Sequence, residues 1–155
     1  MLPASQNQCI HLLLIYALEG TPIATLRYFP PPLSKVGRVA TGKAFRGMGA
    51  GRTMLKGLEA LLNGDWLPNE ACLMKLEGKS VSEITLHAQV PVIPFYRQLG
   101  YVEEGEEFIE DGTPHKFMRK ILKVTRPAVN FLCNSVPSMA EHSSNSAVDP
   151  RILAH

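Results

Sequence analysis

Glycines 47, 49 and 51, framed by Arg46 and Arg52, are where this 155-residue sequence most directly suggests chemistry. Before them runs a β-branched stretch, residues 36–41. After them, over 50–62, Met54, Leu55, Leu58, Leu61 and Leu62 recur at helical intervals. A strand, a glycine turn and a helix in that order can hold an anion. Glycine lets the backbone approach a ligand closely and take up positive φ. The first amides of a helix lack intrahelical acceptors, and that end carries about half a positive charge. A diphosphate can collect several such N–H groups, with Arg46, Arg52 and Lys43 adding charge at the rim.

The elements that must position this loop follow from periodicity. Residues 9–16 read as a buried strand, Glu19–Gly20 as a turn, and 23–29 as the second strand of a hairpin. Pro30, Pro31 and Pro32 break the sheet. Residues 36–41 form a third strand and 50–62 a helix stopped at Asn63–Gly64. The stretch 65–80 reads as a surface excursion with one helical turn near 70–76. Ile84, Leu86 and Ala88 alternate with polar neighbours as a fourth strand, and 91–99 form a short helix ended by Gly100. Strands 101–109 and 115–121 flank Asp111-Gly112, a pair suited to a tight hairpin. The order βββαβαββ predicts a mixed α/β sheet.

Three anion-loop patterns compete. A P-loop needs glycine at 46 and lysine at 52, but both are arginine. The dinucleotide fingerprint needs glycine at 52 or 54, which are Arg52 and Met54. The pattern R/Q-x-x-G-x-G/A fits Arg46, Gly49 and Gly51. Further along come Leu86-His87-Ala88-Gln89, Phe95-Tyr96-Arg97-Gln98-Leu99-Gly100-Tyr101, Glu110-Asp111-Gly112 and Pro114-His115. Taken in order, these motifs resemble the GNAT N-acetyltransferase family, and its ElaA-like branch in particular, over residues 10–121.

The resemblance implies a GNAT-like, mostly antiparallel sheet flanked by helices. It implies acetyl-CoA as co-substrate, its pyrophosphate held by Arg46, Gly47, Met48, Gly49, Ala50, Gly51 and Arg52. Its pantetheine arm would lie between residues 37–41 and 84–89, with Val39, Ala40 and Thr41 offering backbone groups, one N–H of them to the oxyanion. Attack by the amine is direct in the family, so no activated cysteine or serine is needed. Tyr96 matches the family's general acid toward the departing thiolate. The base is open: His115 fits by type and motif, His87 less well, and Gln89 is a candidate for orienting substrate or water. An amine of reference pKa near 10.4 is neutral in only about one part in 2,500 at pH 7, so a base has real work to do.

Composition narrows the alternatives. The formal charge is +2 and no basic run stands out, which argues against nucleic acid. Hydrophobic residues make up 45% of the chain, enough for a core. Cys9, Cys72 and Cys133 are odd in number and scattered, so neither zinc nor a disulfide framework is indicated, and no metal is expected. The apolar run 10–16 is too short to span a bilayer. A cytoplasmic protein is expected, with a nuclear location open. The acceptor would be a small-molecule or peptide amine, and a homodimer stays open. Residues 1–7 are expected to be a frayed head, 8–123 the acetyltransferase core, and 124–155 a mostly disordered tail. The family's first strand and two helices have no room ahead of the hairpin, which would leave residues 10–16 as an exposed apolar edge unless the tail or a second subunit covers it. A catalytically impaired CoA-binding module is the alternative function, and an unrelated phosphate-binding protein a third.

Overall fold

The computed structural model describes residues 8–66, 69–126 and 152–154. Alternation in the first third of the chain resolves into β1 (Ile10–Ile15), β2 (Pro22–Phe29) and β3 (Lys35–Thr41). Ile10, Leu12 and Leu14 face inward beside Ala24, Leu26 and Tyr28, as a period of two requires. The β1–β2 turn closes where the Tyr16 N–H donates to the Thr21 carbonyl at 2.8 Å, with Gly20 at φ 70°.

Helix α1 (Ala50–Asn63) follows, then α2 (Glu70–Leu76) and β4 (Val81–Gln89). A 3-10 turn (Val90–Val92) leads into α3 (Ile93–Gln98), and the chain continues as β5 (Val102–Glu110), β6 (Thr113–Arg126) and β7 (Ile152–Ala154). The strands form one sheet in the order β5-β6-β4-β3-β2-β1-β7. Every neighbouring pair is antiparallel except β3 and β4.

Met54, Leu55, Leu58, Leu61 and Leu62 of α1 are fully buried. Each such side chain contributes about 1.5–3 kcal/mol relative to exposure. Gly64, at φ 83°, ends the helix by donating its N–H to the Leu61 carbonyl at 3.1 Å. The helical turn expected near 70–76 is a seven-residue helix, capped where Asn69 Oδ1 accepts from the Cys72 N–H at 3.0 Å. Lys120 ties three elements together: its Nζ donates to Glu59 of α1 and to the Leu99 carbonyl after α3, each at 2.7 Å.

Of the two covers considered for the β1 edge, the tail supplies one. The free side of β1 is paired by β7, with Leu12, Leu13 and Leu14 opposite Ala154, Leu153 and Ile152. A short strand from the far end of the sequence thus occupies backbone groups that would otherwise invite pairing. Of the tail expected to be disordered, residues 124–126 prolong β6 and 152–154 form β7. The rest of that tail and the expected frayed head lie outside the described residues. The family's preceding strand and helices are not among the described residues either. Among the described residues, no helix is long and apolar enough to cross a membrane.

Candidate active site

Strands β3 and β4 are in register at only two residue pairs, Lys35 with Thr85 and Val36 with Leu86. The Thr85 N–H donates to the Ser34 carbonyl at 2.8 Å, which pins the start of the pair. Beyond Val36, β3 keeps the pairing with β2 that it has from Lys35 onward and has none with β4. Thr25 faces Ala40 and Arg27 faces Gly37, so three steps on β3 oppose two on β2. Arg38, at φ 51°, lies within this bulge. A bulge bends its strand and raises its twist, which here carries β3 away from β4.

A cleft of about 1240 Å³ opens at the parting. Gly37, Arg38 and Val39 line one side, His87 and Gln89 the other, and Tyr96 of α3 also reaches its wall. Glu110, Asp111 and His115 line it from the β5–β6 hairpin. The turn of that hairpin is the expected Asp111-Gly112, at φ 51° and 75°.

The glycine loop runs from a short 3-10 turn, Lys43–Phe45, through Arg46 to α1. Gly47 and Gly49 take φ 76° and 82°, a conformation in which side chains other than glycine's are strained. Gly49 is the N-cap of α1, and no side chain caps the helix. Its first amides are thus left for a ligand or solvent. Gly51 touches the other motif: a Cβ there would meet Phe95 Cζ at 3.2 Å. The start of α1 therefore packs against α3, the helix that carries Tyr96.

Tyr96 is buried at 8% exposure. Its ring lies edge-on to Phe95 at 5.1 Å and to Tyr101 at 5.8 Å. Burial raises the pKa of its hydroxyl. Cys9 and Cys72 are buried and not in a disulfide. Burial also raises the Cys72 thiol, which disfavours a thiolate. Cys133 lies outside the described residues.

A polar cluster lines the same cleft. His87 Nδ1 is 3.0 and 3.1 Å from the two oxygens of Glu110, and 3.1 Å from Lys35 Nζ. His115 is buried at 7% exposure. Its Nδ1 donates to the Thr113 carbonyl at 2.9 Å, and its Nε2 is 3.9 Å from Glu110 Oε2. The hydrogen bond from His87 holds the Glu110 carboxyl below its ordinary value of about 4.5, against the opposing effect of burial and with help from the charges of His87, Lys35 and His115. A carboxyl lowered on folding stabilises the fold above its ordinary value, and loses that effect as pH falls through the lowered one. The stability gap between wild type and Glu110→Gln should therefore shrink as pH falls below the ordinary carboxyl value, as thermal melts across pH would show.

Tyr96, His115, Gln89 and Val39 thus share one cleft. Ala40 and Thr41 are paired with β2 and do not line the cleft, and neither do Arg46, Gly47, Met48, Gly49, Ala50, Gly51 and Arg52, which lie at the head of α1. The sequence reading missed Lys35 and Glu110 as site residues. Glu110 was visible as part of the Glu110-Asp111-Gly112 motif and its turn, but not as a site residue. What brings it to His87 is the pairing of β6 with both β4 and β5, which sets Gln89 and Phe108 opposite His115.

A mostly antiparallel sheet parted at its one parallel pair, with a glycine-led helix beside the gap, defines an acyl-CoA N-acyltransferase fold. The sequence signature of the GNAT acetyltransferase domain matches residues 69–122. The uncharacterised protein YyaT of Bacillus subtilis is 31% identical over 116 residues, covering 74% of this chain and 68% of that protein. A Lactobacillus plantarum protein described as a candidate N-acetyltransferase superposes with TM-score 0.56 at 30% identity, covering 72% of this chain and 68% of its own. An acyl-CoA N-acyltransferase of Pseudomonas aeruginosa gives TM-score 0.55 at 26% identity over the same shares. The chain belongs to the GNAT acetyltransferase family.

Proposed function

We propose that this chain transfers an acetyl group from acetyl-CoA to an amine by direct attack, without an acyl-enzyme. The observation that carries the reading is the parting of β3 from β4 beside the uncapped head of α1, with Tyr96 on the wall of the gap. The amides and arginines of residues 46–52 would hold the pyrophosphate, and the backbone of Val39, Ala40 and Thr41 the pantetheine arm. A β3 N–H then stabilises the oxyanion. Tyr96 donates to the departing sulfur. His115, with its Nε2 in the cleft, is the base that the motifs favour, and Gln89 orients the amine or a water. Placement in the ElaA-like branch rests on the motifs around Glu110 and His115.

The test is calorimetry with acetyl-CoA on folded protein, followed by thiol release with small amines, peptide N-termini and lysine peptides. Uptake with thiol release supports the reading. Uptake without turnover on any amine favours a CoA-binding module instead. Absence of uptake at millimolar acetyl-CoA removes both.

A further inference from the structure

Lys35, His87, Glu110 and His115 come from four strands and meet on the cleft wall. His115 has a defined tautomer, because its Nδ1 hydrogen is taken by the Thr113 carbonyl. In the neutral ring, Nε2 is then the nitrogen with a lone pair, and it faces Glu110 at 3.9 Å. His87 is less settled. Glu110 can only accept from Nδ1, whereas Lys35, as an ammonium, can only donate to it. The two neighbours therefore demand opposite tautomers of one ring.

That conflict has a chemical sense. A primary ammonium held between a carboxylate and an imidazole lone pair is placed as an acceptor amine must be before it loses its proton. Lys35 Nζ lies 3.1 Å from His87 Nδ1, the nitrogen that also faces the Glu110 carboxylate, and it comes from the first of the two residues at which β3 pairs with β4. The rings of Phe108 and Phe117, centred 4.9 and 6.1 Å from that of His87, give the spot an apolar side suited to an alkyl chain. Among the described residues no group is placed to hold a metal ion.

We propose that His87 and Glu110, backed by His115, form the seat of the acceptor's primary ammonium, and that Lys35 fills this seat as an intramolecular stand-in which the acceptor displaces. The identity of this ligand as an acceptor rests on the transferase reading above. In the reaction, the seated alkylammonium gives one proton to the Nε2 lone pair of His115 and the freed amine attacks the thioester carbon. The C–N bond forms, the C–S bond breaks and the sulfur is protonated. The balance is ammonium plus thioester giving amide, thiol and one proton passed to solvent.

Butylammonium chloride is the probe, followed by the imidazole nitrogen shifts of His87 and His115 in nitrogen-15-labelled protein. Lys35→Met is expected to bind it at least tenfold more tightly than wild type, and Lys35→Met/Glu110→Gln to lose that gain. Butan-1-ol should give no saturable shift. Equal affinity in wild type and Lys35→Met, or an equal response to butan-1-ol, overturns the proposal. Lys35→Gln is measured alongside. If neither variant folds, Lys35 is a structural residue and the stand-in assignment is overturned. Calorimetry with acetyl-CoA on the same samples separates the two claims. A butylammonium seat without acetyl-CoA uptake keeps the ammonium seat and its Lys35 stand-in, and removes the transferase and with it the ligand's identity as an acceptor. Acetyl-CoA uptake with no preference for the ammonium does the reverse.

Discussion

Tyr96→Phe should lower turnover at least tenfold and leave acetyl-CoA affinity within about twofold of wild type. The substitution keeps the ring, and the ring does the packing: it stands edge-on to Phe95 and Tyr101 in the wall of the cleft. Only the hydroxyl is lost. Burial raises its pKa, so it stays a proton-bearing donor throughout the working pH range. A thiol has an ordinary value near 8.5, well below that of the buried phenol, so complete transfer from Tyr96 to the sulfur runs uphill. The contribution is then a hydrogen bond that strengthens as charge builds on sulfur, present in the transition state and weak in the bound thioester. A hydrogen bond to a charged group is worth about 1.5–3 kcal/mol, and tenfold in rate needs only about 1.4 kcal/mol. Steady-state thiol release gives the first quantity and calorimetry the second. Unchanged turnover removes the assignment. A joint fall in turnover, affinity and melting temperature would reduce Tyr96 to a packing residue.

What the sequence disclosed, and what it hid, divides along the chain distance of the contacts. The stripe Met54, Leu55, Leu58, Leu61 and Leu62 announced α1 because helical periodicity is local, and the structure buries all five. Asp111-Gly112 announced its hairpin because positive φ is a property of those residues themselves. The two motifs centred on Gly49 and Tyr96 were legible separately, but the contact of Gly51 with Phe95 was not. Nor was the cluster at His87. It needs β6 to sit between β4 and β5, so that residues 35, 87, 110 and 115 converge across a parallel and two antiparallel pairings. Lys35 shows the limit clearly. As a lysine opening a strand it reads as a solvated charge, and only the register of β3 against β4 puts its Nζ beside an imidazole. The tail could be named as a cover for β1, but which residues pair was hidden for the same reason: Ile152–Ala154 is three residues of unremarkable composition, and its partner strand lies at the other end of the sequence.

Gly49→Val should reduce acetyl-CoA affinity at least a hundredfold with a comparatively modest loss of stability. No atom outside the immediate neighbourhood stands within 4 Å of where a Cβ would be, so no steric clash with the rest of the fold drives the effect. The backbone does. Gly49 sits at φ 82°, and a β-branched residue held there costs on the order of 1–3 kcal/mol. The loop relieves that strain by rotating out of the left-handed region, and the amides at the head of α1 then no longer converge. A hundredfold loss is about 2.8 kcal/mol, the value of one or two charge-assisted hydrogen bonds to the pyrophosphate at about 1.5–3 kcal/mol each. Gly49→Asn separates this account from a simple effect of bulk. Asparagine adds a side chain but visits the left-handed region readily, so its affinity should fall well short of the valine variant's loss. Calorimetry on both variants decides the matter, with melting curves to show that each is folded. If asparagine is as damaging as valine, the size of the side chain and not the direction of the amides controls binding. If neither variant weakens it, the head of α1 is not where the pyrophosphate binds.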